Sequence, residues 1–532
     1  MRNPNVNKLP FYQKNPILKD YSVNVTFDQI LEMTMEEFDE WVLHTRKSIL
    51  NAWDTHGTPV TSGSTEQEII DGFNRLNDTD VSVFQKDNEL TPNIKGTVIH
   101  NTIHVGSEVS QFFPNMMKVP MTYSSKNTGY SVYDLFANDK YKESVLNRSK
   151  RHFRRDSFFH FSRCIRPSEP EALDCKTGKE WIEKYFSLEN PDYNFWIQEA
   201  EKKDDVSTGY YQVKQSDFLS IDKNELVNLV NRKYLTGTNT ANIDIFNLKD
   251  NCTYLIRRFE KNQRMFPKSF TAFRIGYLSV PVNFPPATAK YLYEKYTEKL
   301  KDQDVINILD PSSGWGGRIL GAMSVKNDRK IHYIGTDPNP DNVHIDGKTK
   351  YQHIADFFNS KTYRGTGLFD NNCNTYDIFQ EGSEEISKHA RFQKYKGKID
   401  LVFTSPPYWG KEMYSTDAKQ SCVKFGSSYE SWRDGFLKPT LKMCYDWLKP
   451  GGRILWNIAD ILVETGYLPL EQDSNDYLKS LGMVQEDTLN MILASMPGSQ
   501  RLDENGIPKC KNYVKVEGKY HKIEPIFVWR KQ

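Results

Sequence analysis

Four short runs of β-branched and aliphatic residues, separated by helical patterns, restrict the fold of this 532-residue chain more than any other feature. They occupy residues 305–309, 331–336, 399–403 and 453–458, all in the second half. Strands that alternate with helices predict a parallel, doubly wound α/β sheet. Ligands of such sheets bind beyond the carboxyl ends of the strands, and the polar motifs of this chain lie at those ends.

A glycine-rich motif follows the first run. Residues 310–316 read DPSSGWG and lead into a helical pattern that begins at Arg318. Glycines permit a tight turn and a close approach of the backbone to a ligand, and a helix N-terminus favours negative charge. No Gly-Lys-Ser or Gly-Lys-Thr follows, which excludes a phosphate-binding P-loop. The motif suits a nucleotide-type cofactor, although such turns also occur without any ligand.

An aspartate ends the second run. The carboxylate of Asp337 can accept hydrogen bonds from both hydroxyls of a ribose. The structural alternative is a helix cap or a surface aspartate before Pro338. Taken alone, neither this residue nor the glycine motif decides between a ligand site and a structural role.

The third run ends in a stiff, proline-rich turn. Residues 404–409 read TSPPYW, and each proline fixes its own φ and restricts the residue before it. Such a turn can aim the Ser405 hydroxyl and the Pro406 carbonyl at one point beside an aromatic ring. The alternative is a structural β–α loop with a buried Tyr408. Two prolines and two aromatic residues downstream of a nucleotide-type motif favour a catalytic turn.

Together these motifs resemble the S-adenosylmethionine-dependent amino-methyltransferases that act on DNA bases. Residues 310–316 are similar to the cofactor motif of that family, and residues 405–408 to its catalytic tetrapeptide. The stretch 405–414 (SPPYWGKEMY) is especially similar to the cytosine-N4 and related adenine-N6 enzymes, as are Trp432, residues 448–460 and residues 524–530. The resemblance covers residues 270–532, roughly half of the chain.

The resemblance implies a doubly wound, Rossmann-like methyltransferase sheet and S-adenosylmethionine as the cofactor. It implies catalytic roles for Ser405, Pro406, Pro407 and Tyr408. It implies cofactor binding by Asp310, Ser312, Gly314, Gly316, Asp337, Pro338, Ser383 and Phe284. In this scheme Asp337 holds the ribose, Pro338 lies against the adenine and Phe284 covers the methionine end. Ser383 could equally cap a helix.

The residue types suit methyl transfer to an exocyclic amine. The lone pair of such an amine is delocalised into the ring, and the Ser405 hydroxyl and Pro406 carbonyl can accept its hydrogens and favour a pyramidal nitrogen. Tyr408 is expected to stack on a base that has left the duplex. The chain has no Pro-Cys dipeptide, which argues against covalent cytosine-C5 methylation. Ser405 in the first position resembles the cytosine-N4 subgroup, so we favour cytosine N4.

Other functions stay open from the sequence. Adenine N6 is the nearest alternative target, because a hydroxyl can accept from either amine. Guanine-N2 enzymes of tRNA share a related Pro-Pro-Tyr motif, which makes an RNA substrate a further alternative. A protein that binds the cofactor without turnover is the alternative outside enzymes.

Target recognition is expected mainly in residues 1–265, with help from loops 410–428 and 496–512, because no sizeable domain fits between the two motifs. Residues 148–166 carry seven arginines and lysines against one aspartate, interleaved with phenylalanines, as backbone neutralisation and base stacking require. We predict contacts with double-stranded DNA from Arg151, Arg154, Arg155 and Arg163. A similar basic cluster at residues 257–274 fits DNA contact and a solvated helix face equally well.

A restriction-nuclease site is the rival interpretation of the N-terminal half. Pro191-Asp192 followed by Glu201-x-Lys203 imitates such a metal site. The spacing is short, and residues 195–202 look helical where a nuclease core uses a strand. We therefore predict no metal site, while a restriction endonuclease partner stays open.

Composition sets the remaining expectations. The net charge of +1 means that nucleic-acid binding must come from local basic patches. Seven dispersed cysteines without a Cys-x-x-Cys pair, an N-terminus without an apolar core and the lack of a long apolar run predict a cytoplasmic protein with no membrane contact. The resemblance to DNA amino-methyltransferases implies a bacterial protein or one encoded by a phage or virus. We predict a methyltransferase domain at residues 266–532 and a separate N-terminal mixed α/β or α+β domain at residues 1–265. The sequence does not predict the oligomeric state.

Overall fold

The computed structural model describes single positions between 33 and 50, residues 66–86, parts of 96–134, residues 194–199 and 209–214, and residues 282–532 with gaps at 301, 326–329, 345, 362–373, 411–412, 464–465 and 494–511. Among these residues, none of the helices combines the length and the apolar character that crossing a membrane requires.

Helices and strands alternate through the second half, as predicted. The α-helices are α1 (Glu66–Asp78), α2 (Pro286–Thr297), α3 (Gly317–Met323), α4 (Lys350–Lys361), α5 (Ser421–Lys424), α6 (Tyr429–Trp432), α7 (Lys438–Trp447) and α8 (Leu470–Ser480). Short 3₁₀ helices cover Ser82–Phe84, Pro114–Lys118, Glu298–Leu300, Pro340–Asn342, Ile386–Lys388 and Ala390–Tyr395, and a π-helical turn covers Arg433–Leu437.

The strands of the N-terminal half are β1 (Gln85–Lys86), β2 (Thr97–Ile99), β3 (Pro120–Tyr123), β4 (Lys126–Ser131), β5 (Asn194–Glu199) and β6 (Gly209–Lys214). Those that follow are β7 (Ile306–Asp310), β8 (Ile331–Thr336), β9 (Thr375–Phe379), β10 (Ile399–Thr404), β11 (Leu448–Asn457), β12 (Ile461–Val463), β13 (Gly466–Leu468), β14 (Val484–Ile492), β15 (Tyr513–Val516) and β16 (Lys519–Arg530).

One large sheet organises the second half. Its order is β1-β2-β14-β16-β11-β10-β7-β8-β9, and β15 also pairs with β16. The strands β11, β10, β7, β8 and β9 run parallel, whereas β16 is antiparallel to both β11 and β14. One core cluster holds side chains of α1 to α4 and the other those of α6 to α8, so helices cover both faces. The predicted doubly wound, Rossmann-like sheet is confirmed.

The strand order places the ligand crevice. From β7 the chain moves outward through β8 and β9, and then returns to β10 on the other side of β7. Such a reversal separates the carboxyl ends of two adjacent strands and opens a crevice between them. The crevice of this sheet therefore lies between the ends of β7 and β10, which are followed by the glycine-rich motif and the proline-rich turn.

Part of the N-terminal half belongs to this sheet. β2 pairs in parallel with β14, and Thr97 Oγ1 donates to Asp487 over 2.9 Å. Apolar side chains from residues 66–119 share a core cluster with α2, α3 and α4. The predicted boundary at residue 265 thus does not separate this segment from the methyltransferase sheet. For the remaining N-terminal residues, the division into two domains stays a prediction.

A buried lysine joins α1 to α2. The side chain of Lys290 donates to the carbonyls of Leu76, Asn77 and Thr79 over 2.7, 2.7 and 3.0 Å. The last carbonyls of a helix have no partner within the helix, so the ammonium group satisfies the end of α1. This contact fixes the N-terminal segment against the helix that precedes the first parallel strand.

Two local predictions for the N-terminal half have different outcomes. The sequence Thr34-x-x-Glu37 predicts a capping box at the start of a helix. The structure confirms it, because the backbone N of Glu37 donates to Thr34 Oγ1 over 3.2 Å and that of Thr34 donates to Glu37 over 2.8 Å. The helical interpretation of residues 195–202 is wrong, because Asn194–Glu199 is a strand that pairs antiparallel with Gly209–Lys214. Helicity therefore no longer argues against the nuclease alternative, whose acidic and lysine residues lie outside the described residues.

Candidate active site

A cavity of about 610 Å³ opens at the carboxyl ends of β7, β8, β9 and β10, in the crevice that the strand order creates. Its walls come from the loops after these four strands and from the segment that leads into α5. The lining residues are Pro311, Ser312, Ser313, Gly314, Trp315, Thr336, Asp337, Pro338, Asn339, Asn342, Gly382, Ser383, Glu384, Ser405, Pro407, Tyr414, Lys419, Gln420, Ser421 and Phe436.

The glycine-rich loop requires glycine for steric reasons. Gly316 has a φ of 84°, and a β-carbon there would lie 2.6 Å from the side chain of Ile354 and 2.8 Å from that of Phe113. The next amide, that of Gly317, donates to Asn283 Oδ1 over 3.0 Å and so begins α3 with a side-chain cap from a distant segment. The loop is held between α4, the N-terminal segment and the residues before α2.

Asp310 lies behind the cavity wall rather than in it. One oxygen accepts from Thr404 Oγ1 over 2.8 Å and from the Ser312 amide over 3.2 Å. The other accepts from Arg318 Nε over 2.7 Å and from the Tyr333 hydroxyl over 2.6 Å. Burial opposes the charge of Arg318, but the Asp310 carboxylate holds the pKa of Arg318 above its ordinary value. Asp310 therefore links β7 to β8, to the end of β10 and to the start of α3.

Asp337 does line the cavity, and hydrogen bonds hold both of its oxygens. Oδ1 accepts from the Asn339 amide over 2.9 Å, and Oδ2 accepts from the Asn342 side chain and from the Tyr351 hydroxyl, the latter over 2.6 Å. The same hydroxyl lies 2.6 Å from the Gly314 carbonyl, and its single proton serves one acceptor at a time. Burial raises the pKa of Asp337, and these hydrogen bonds oppose the rise.

Three polar atoms in the cavity wall have no hydrogen-bond partner within the described part of the chain. They are Ser313 Oγ, Asn339 Nδ2 and Gln420 Nε2, and all three are buried. An unsatisfied buried polar group costs about 1–3 kcal/mol. Two amide donors and a hydroxyl, beside the acceptor Asp337, match the alternating donors and acceptors of an adenosine-type ligand. The residues present therefore fit the cofactor that the resemblance implies.

The proline-rich turn brings Ser405 and Pro407 to the same cavity. Tyr408 points elsewhere: the residue is 7% exposed, its hydroxyl donates to Glu524 over 2.5 Å, and the Ala459 amide donates to that hydroxyl over 3.1 Å. Tyr408 therefore anchors the turn to β16 and to the end of β11, as in the structural alternative for this residue.

Several aromatic side chains at the site did not stand out in the sequence. Trp315 and Tyr414 line the cavity and meet edge to face, with ring centroids 5.5 Å apart. Phe436 also lines it, from the π-helical turn before α7, a kind of turn that is frequent at functional sites. Phe113 supports Trp315 from behind, at 5.6 Å. Trp315, in DPSSGWG, and Tyr414, in SPPYWGKEMY, could have been found as aromatic residues within motifs.

The predicted site residues divide into three groups. Those that line the cavity are Ser312, Gly314, Asp337, Pro338, Ser383, Ser405 and Pro407. Those that lie outside its lining are Asp310, Gly316, Phe284, Pro406 and Tyr408. Phe284 packs against Phe403, with ring centroids 5.1 Å apart, and the Ser383 hydroxyl is 2.9 Å from Thr440 Oγ1. The DNA-binding candidates Arg151, Arg154, Arg155 and Arg163 lie outside the described residues.

A family of known proteins matches the part of the chain that begins at β10. Residues 399–530 match the DNA methylase family, N6_N4_Mtase. The match begins at β10 and includes the proline-rich turn, so the predicted resemblance to DNA amino-methyltransferases is confirmed over these residues. No curated protein shows a significant match to the chain.

Solved structures that match part of the chain include a candidate DNA modification methylase from Thermus thermophilus, at 22% identity over 28% of this chain and 51% of that chain, with a TM-score of 0.19. Its complex with S-adenosyl-L-methionine aligns at 21% identity over 28% and 53%, with a TM-score of 0.19. An S-adenosylmethionine-dependent O-methyltransferase from Thermotoga maritima aligns at 13% identity over 48% and 68%, with a TM-score of 0.24. The chain thus spans about half the length of the Thermus protein.

Proposed function

We propose that the chain is an S-adenosylmethionine-dependent DNA methyltransferase that methylates the exocyclic amine of a base, with cytosine N4 as the preferred target. The observation that carries the proposal is one cavity, at the reversal of a doubly wound sheet, that Ser405, Asp337 and the glycine-rich loop all line. The DNA methylase match over residues 399–530 supports DNA as the substrate.

Different residues of the cavity wall would bind different groups of the cofactor. Asp337 would accept hydrogen bonds from the ribose, Pro338 would lie against the adenine, and Asn339 would donate from its side-chain amide, which has no partner among the described residues. The loop at Gly314 lets the backbone approach the methionine end. The bound cofactor supplies an electrophilic methyl group on a sulfonium. These residues would hold the cofactor in the same cavity that Ser405 lines.

Ser405 and the carbonyl of Pro406 orient the amine. Both accept hydrogens of the exocyclic nitrogen, which withdraws its lone pair from the ring and directs it along the line of transfer. The contacts of Tyr408 with Glu524 and Ala459 keep the turn in place while the base enters. We propose that the base leaves the duplex to reach this point, as base-modifying enzymes require.

Labelled cofactor tests the proposal. The purified chain is incubated with methyl-labelled S-adenosylmethionine and double-stranded DNA, and the DNA is then digested to nucleosides. We expect label in N4-methylcytosine. Label in N6-methyladenine would change the target base, and label only in tRNA would change the substrate class. The absence of label from every nucleic acid would refute a methyltransferase function.

Ser405→Ala supplies the matched variant. It should bind S-adenosylmethionine as the unmodified chain does, because Asp337 and the glycine-rich loop are intact, while transfer falls by about 100-fold or more. Transfer at the unmodified rate would remove Ser405 from the mechanism. Methylation-aware sequencing of DNA from cells that express the chain would give the recognition site.

A further inference from the structure

The N-terminal segment reaches the candidate cofactor site through an asparagine. Asn115 lies in the 3₁₀ helix Pro114–Lys118, far in sequence from every motif. Its Nδ2 donates to Asn342 Oδ1 over 2.9 Å, and its Oδ1 accepts from the ammonium group of Lys350. Asn342 in turn donates to Asp337. A continuous line of hydrogen bonds therefore runs from Lys350 through two amides to the carboxylate that lines the cavity.

Lys350, at one end of this line, sets the donor-to-acceptor direction of every hydrogen bond in it. An ammonium group can only donate, so the buried Lys350 obliges Asn115 to present its oxygen there and its NH₂ to the next residue. Asn342 must then accept with its oxygen and turn its own NH₂ toward Asp337. Neither amide can rotate by half a turn without placing two donors or two acceptors face to face. The line therefore ends with a donor directed at Asp337 Oδ2.

This arrangement leaves Asp337 free to accept from a ligand. Its Oδ2 accepts hydrogen bonds from the Asn342 side chain and the Tyr351 hydroxyl, while Oδ1 accepts one from the Asn339 amide. A carboxylate has about four acceptor positions, so a further one remains on Oδ1. If Asn342 turned its oxygen toward Asp337, the carboxylate would lose a donor and face an acceptor. Its ionised form would then be disfavoured.

We propose that Asn115 is a positioning residue of the cofactor site, which fixes the Asn342 amide and thereby presents Asp337 as the hydrogen-bond acceptor for the ribose. The inference rests on the proposed function, because it needs a ligand with ribose hydroxyls. It assigns the N-terminal segment a part in cofactor binding in addition to the DNA recognition predicted for that half.

A pair of variants separates polarity from packing. Asn115→Asp has nearly the same shape, but it makes the second oxygen an acceptor and forces Asn342 to turn its NH₂ away from Asp337. Asn115→Ala removes the contact and leaves Asn342 free to keep its orientation. We expect Asn115→Asp to weaken binding of S-adenosylhomocysteine by about tenfold or more, and Asn115→Ala by clearly less. Isothermal titration calorimetry on the full chain measures both.

Two controls show whether the effect passes through Asp337. Thr97→Val removes another hydrogen bond between the N-terminal segment and the sheet, that to Asp487, and should leave ligand affinity unchanged. In an Asp337→Asn background, Asn115→Asp should add little further loss, because the acceptor it acts on is gone. Melting temperatures of all variants report whether each has folded.

The outcomes are distinct. An Asn115→Asp variant that binds like the unmodified chain, or an Asn115→Ala variant that loses as much, would reduce Asn115 to a packing role and overturn the proposal. The proposal would also be overturned if Asn115→Asp weakened ligand binding in the Asp337→Asn background as much as it does in the unmodified chain. If the unmodified chain binds neither S-adenosylhomocysteine nor S-adenosylmethionine, the proposed function itself fails, and the proposal for Asn115 fails with it.

Discussion

If Asp337 binds the ribose as proposed, this single residue should make ligand binding depend on pH. Burial raises its pKa, and the Tyr351, Asn339 and Asn342 hydrogen bonds and the Lys350 charge only partly oppose this. An ionised carboxylate is the stronger acceptor for ribose hydroxyls, so affinity should be constant above the folded-state pKa and fall as the pH drops through it. Since that pKa is raised, the fall should begin at a higher pH than for an exposed aspartate.

Calorimetric titration of S-adenosylmethionine over a series of pH values tests this expectation. Asp337→Asn, which cannot ionise, should bind weakly at every pH without the same decline. Affinity of the unmodified chain that stays level down to the ordinary pKa of an aspartate would contradict the argument. The same carboxylate has an opposite effect on folding, because a raised folded-state pKa means that the stability it contributes is lost as the pH rises through that value.

Gly316 gives a second prediction for one residue. Replacement by alanine combines a positive φ with a collision, since the new β-carbon would meet Ile354 and Phe113 at 2.6 and 2.8 Å. Gly347 has nearly the same φ, 82°, and open space around it. Gly347→Ala should therefore cost about 1–2 kcal/mol from the backbone alone, and Gly316→Ala about 2–5 kcal/mol. Urea unfolding compares the two, and equal losses would remove the collision from the explanation.

Among the elements, three parallel strands share one buried carboxylate, that of Asp310, which accepts from Tyr333 of β8 and Thr404 of β10. Asp310→Asn would leave Arg318 charged and without its partner beside the helix that follows β7. Breaking a buried ion pair in this way costs about 3–5 kcal/mol. Thr404 also loses an ionised acceptor, so the end of β10 should loosen with the end of β7. Chemical denaturation should show the loss directly.

Glu486→Gln is the matched control for that experiment. Glu486 pairs with Arg453 over 2.6 Å and with Arg530 over 2.7 Å, but these side chains are about a third exposed. An ion pair in that setting contributes about 1 kcal/mol or less. Similar losses for Asp310→Asn and Glu486→Gln would mean that burial does not distinguish the two pairs.

The elements also show what the sequence could predict. The runs at 331–336 and 399–403 became β8 and β10 with ends within one residue, because buried parallel strands are continuous apolar runs bounded by polar turns. The strand at 194–199 was missed, since its sequence, NFWIQE, has no strict alternation and a short apolar run fits a helix as well. The orientation of the Tyr408 side chain could not be predicted, because it depends on a hydrogen bond to Glu524, which is distant in the sequence.

For the whole molecule, the sequence could not predict that residues 66–119 complete the sheet. β2 has three residues, too few for any periodic pattern, and its partner lies almost 400 residues away. The supporting side chains Phe113 and Asn115 belong to no motif. The local sequence thus predicted the residues at the strand ends that line the cavity. It did not predict the residues that pack behind them, because these come from distant parts of the chain.

Whole-molecule electrostatics gives the last prediction. The net charge of +1 leaves DNA attraction to local clusters, and residues 148–166 are the strongest of these in the sequence. Neutralising Arg151, Arg154 and Arg155 together should weaken DNA binding and reduce the slope of log affinity against log salt by about 0.9 for each lost phosphate contact. Affinity for S-adenosylmethionine should not change.

Fluorescence anisotropy over a range of salt concentrations measures the slope. Lys442→Gln provides a comparison, because Lys442 is paired with Asp446 on α7 and far in sequence from the basic cluster. An unchanged slope in the triple variant would mean that these arginines lie on a solvated helix face and do not contact DNA. A slope that falls equally in Lys442→Gln would indicate a general effect of charge.

The pairing of β2 with β14 has a consequence for biosynthesis. Thr97 leaves the ribosome 390 residues before Asp487, its hydrogen-bond partner. At about 5–20 residues per second, that interval lasts roughly 20–80 s. Throughout it, Val98, Ile99 and Phe113 lack most of the surface that later buries them. A nascent chain with such a delay is a natural client of chaperones that shield apolar segments, and its yield should respond to translation speed more than its final stability does.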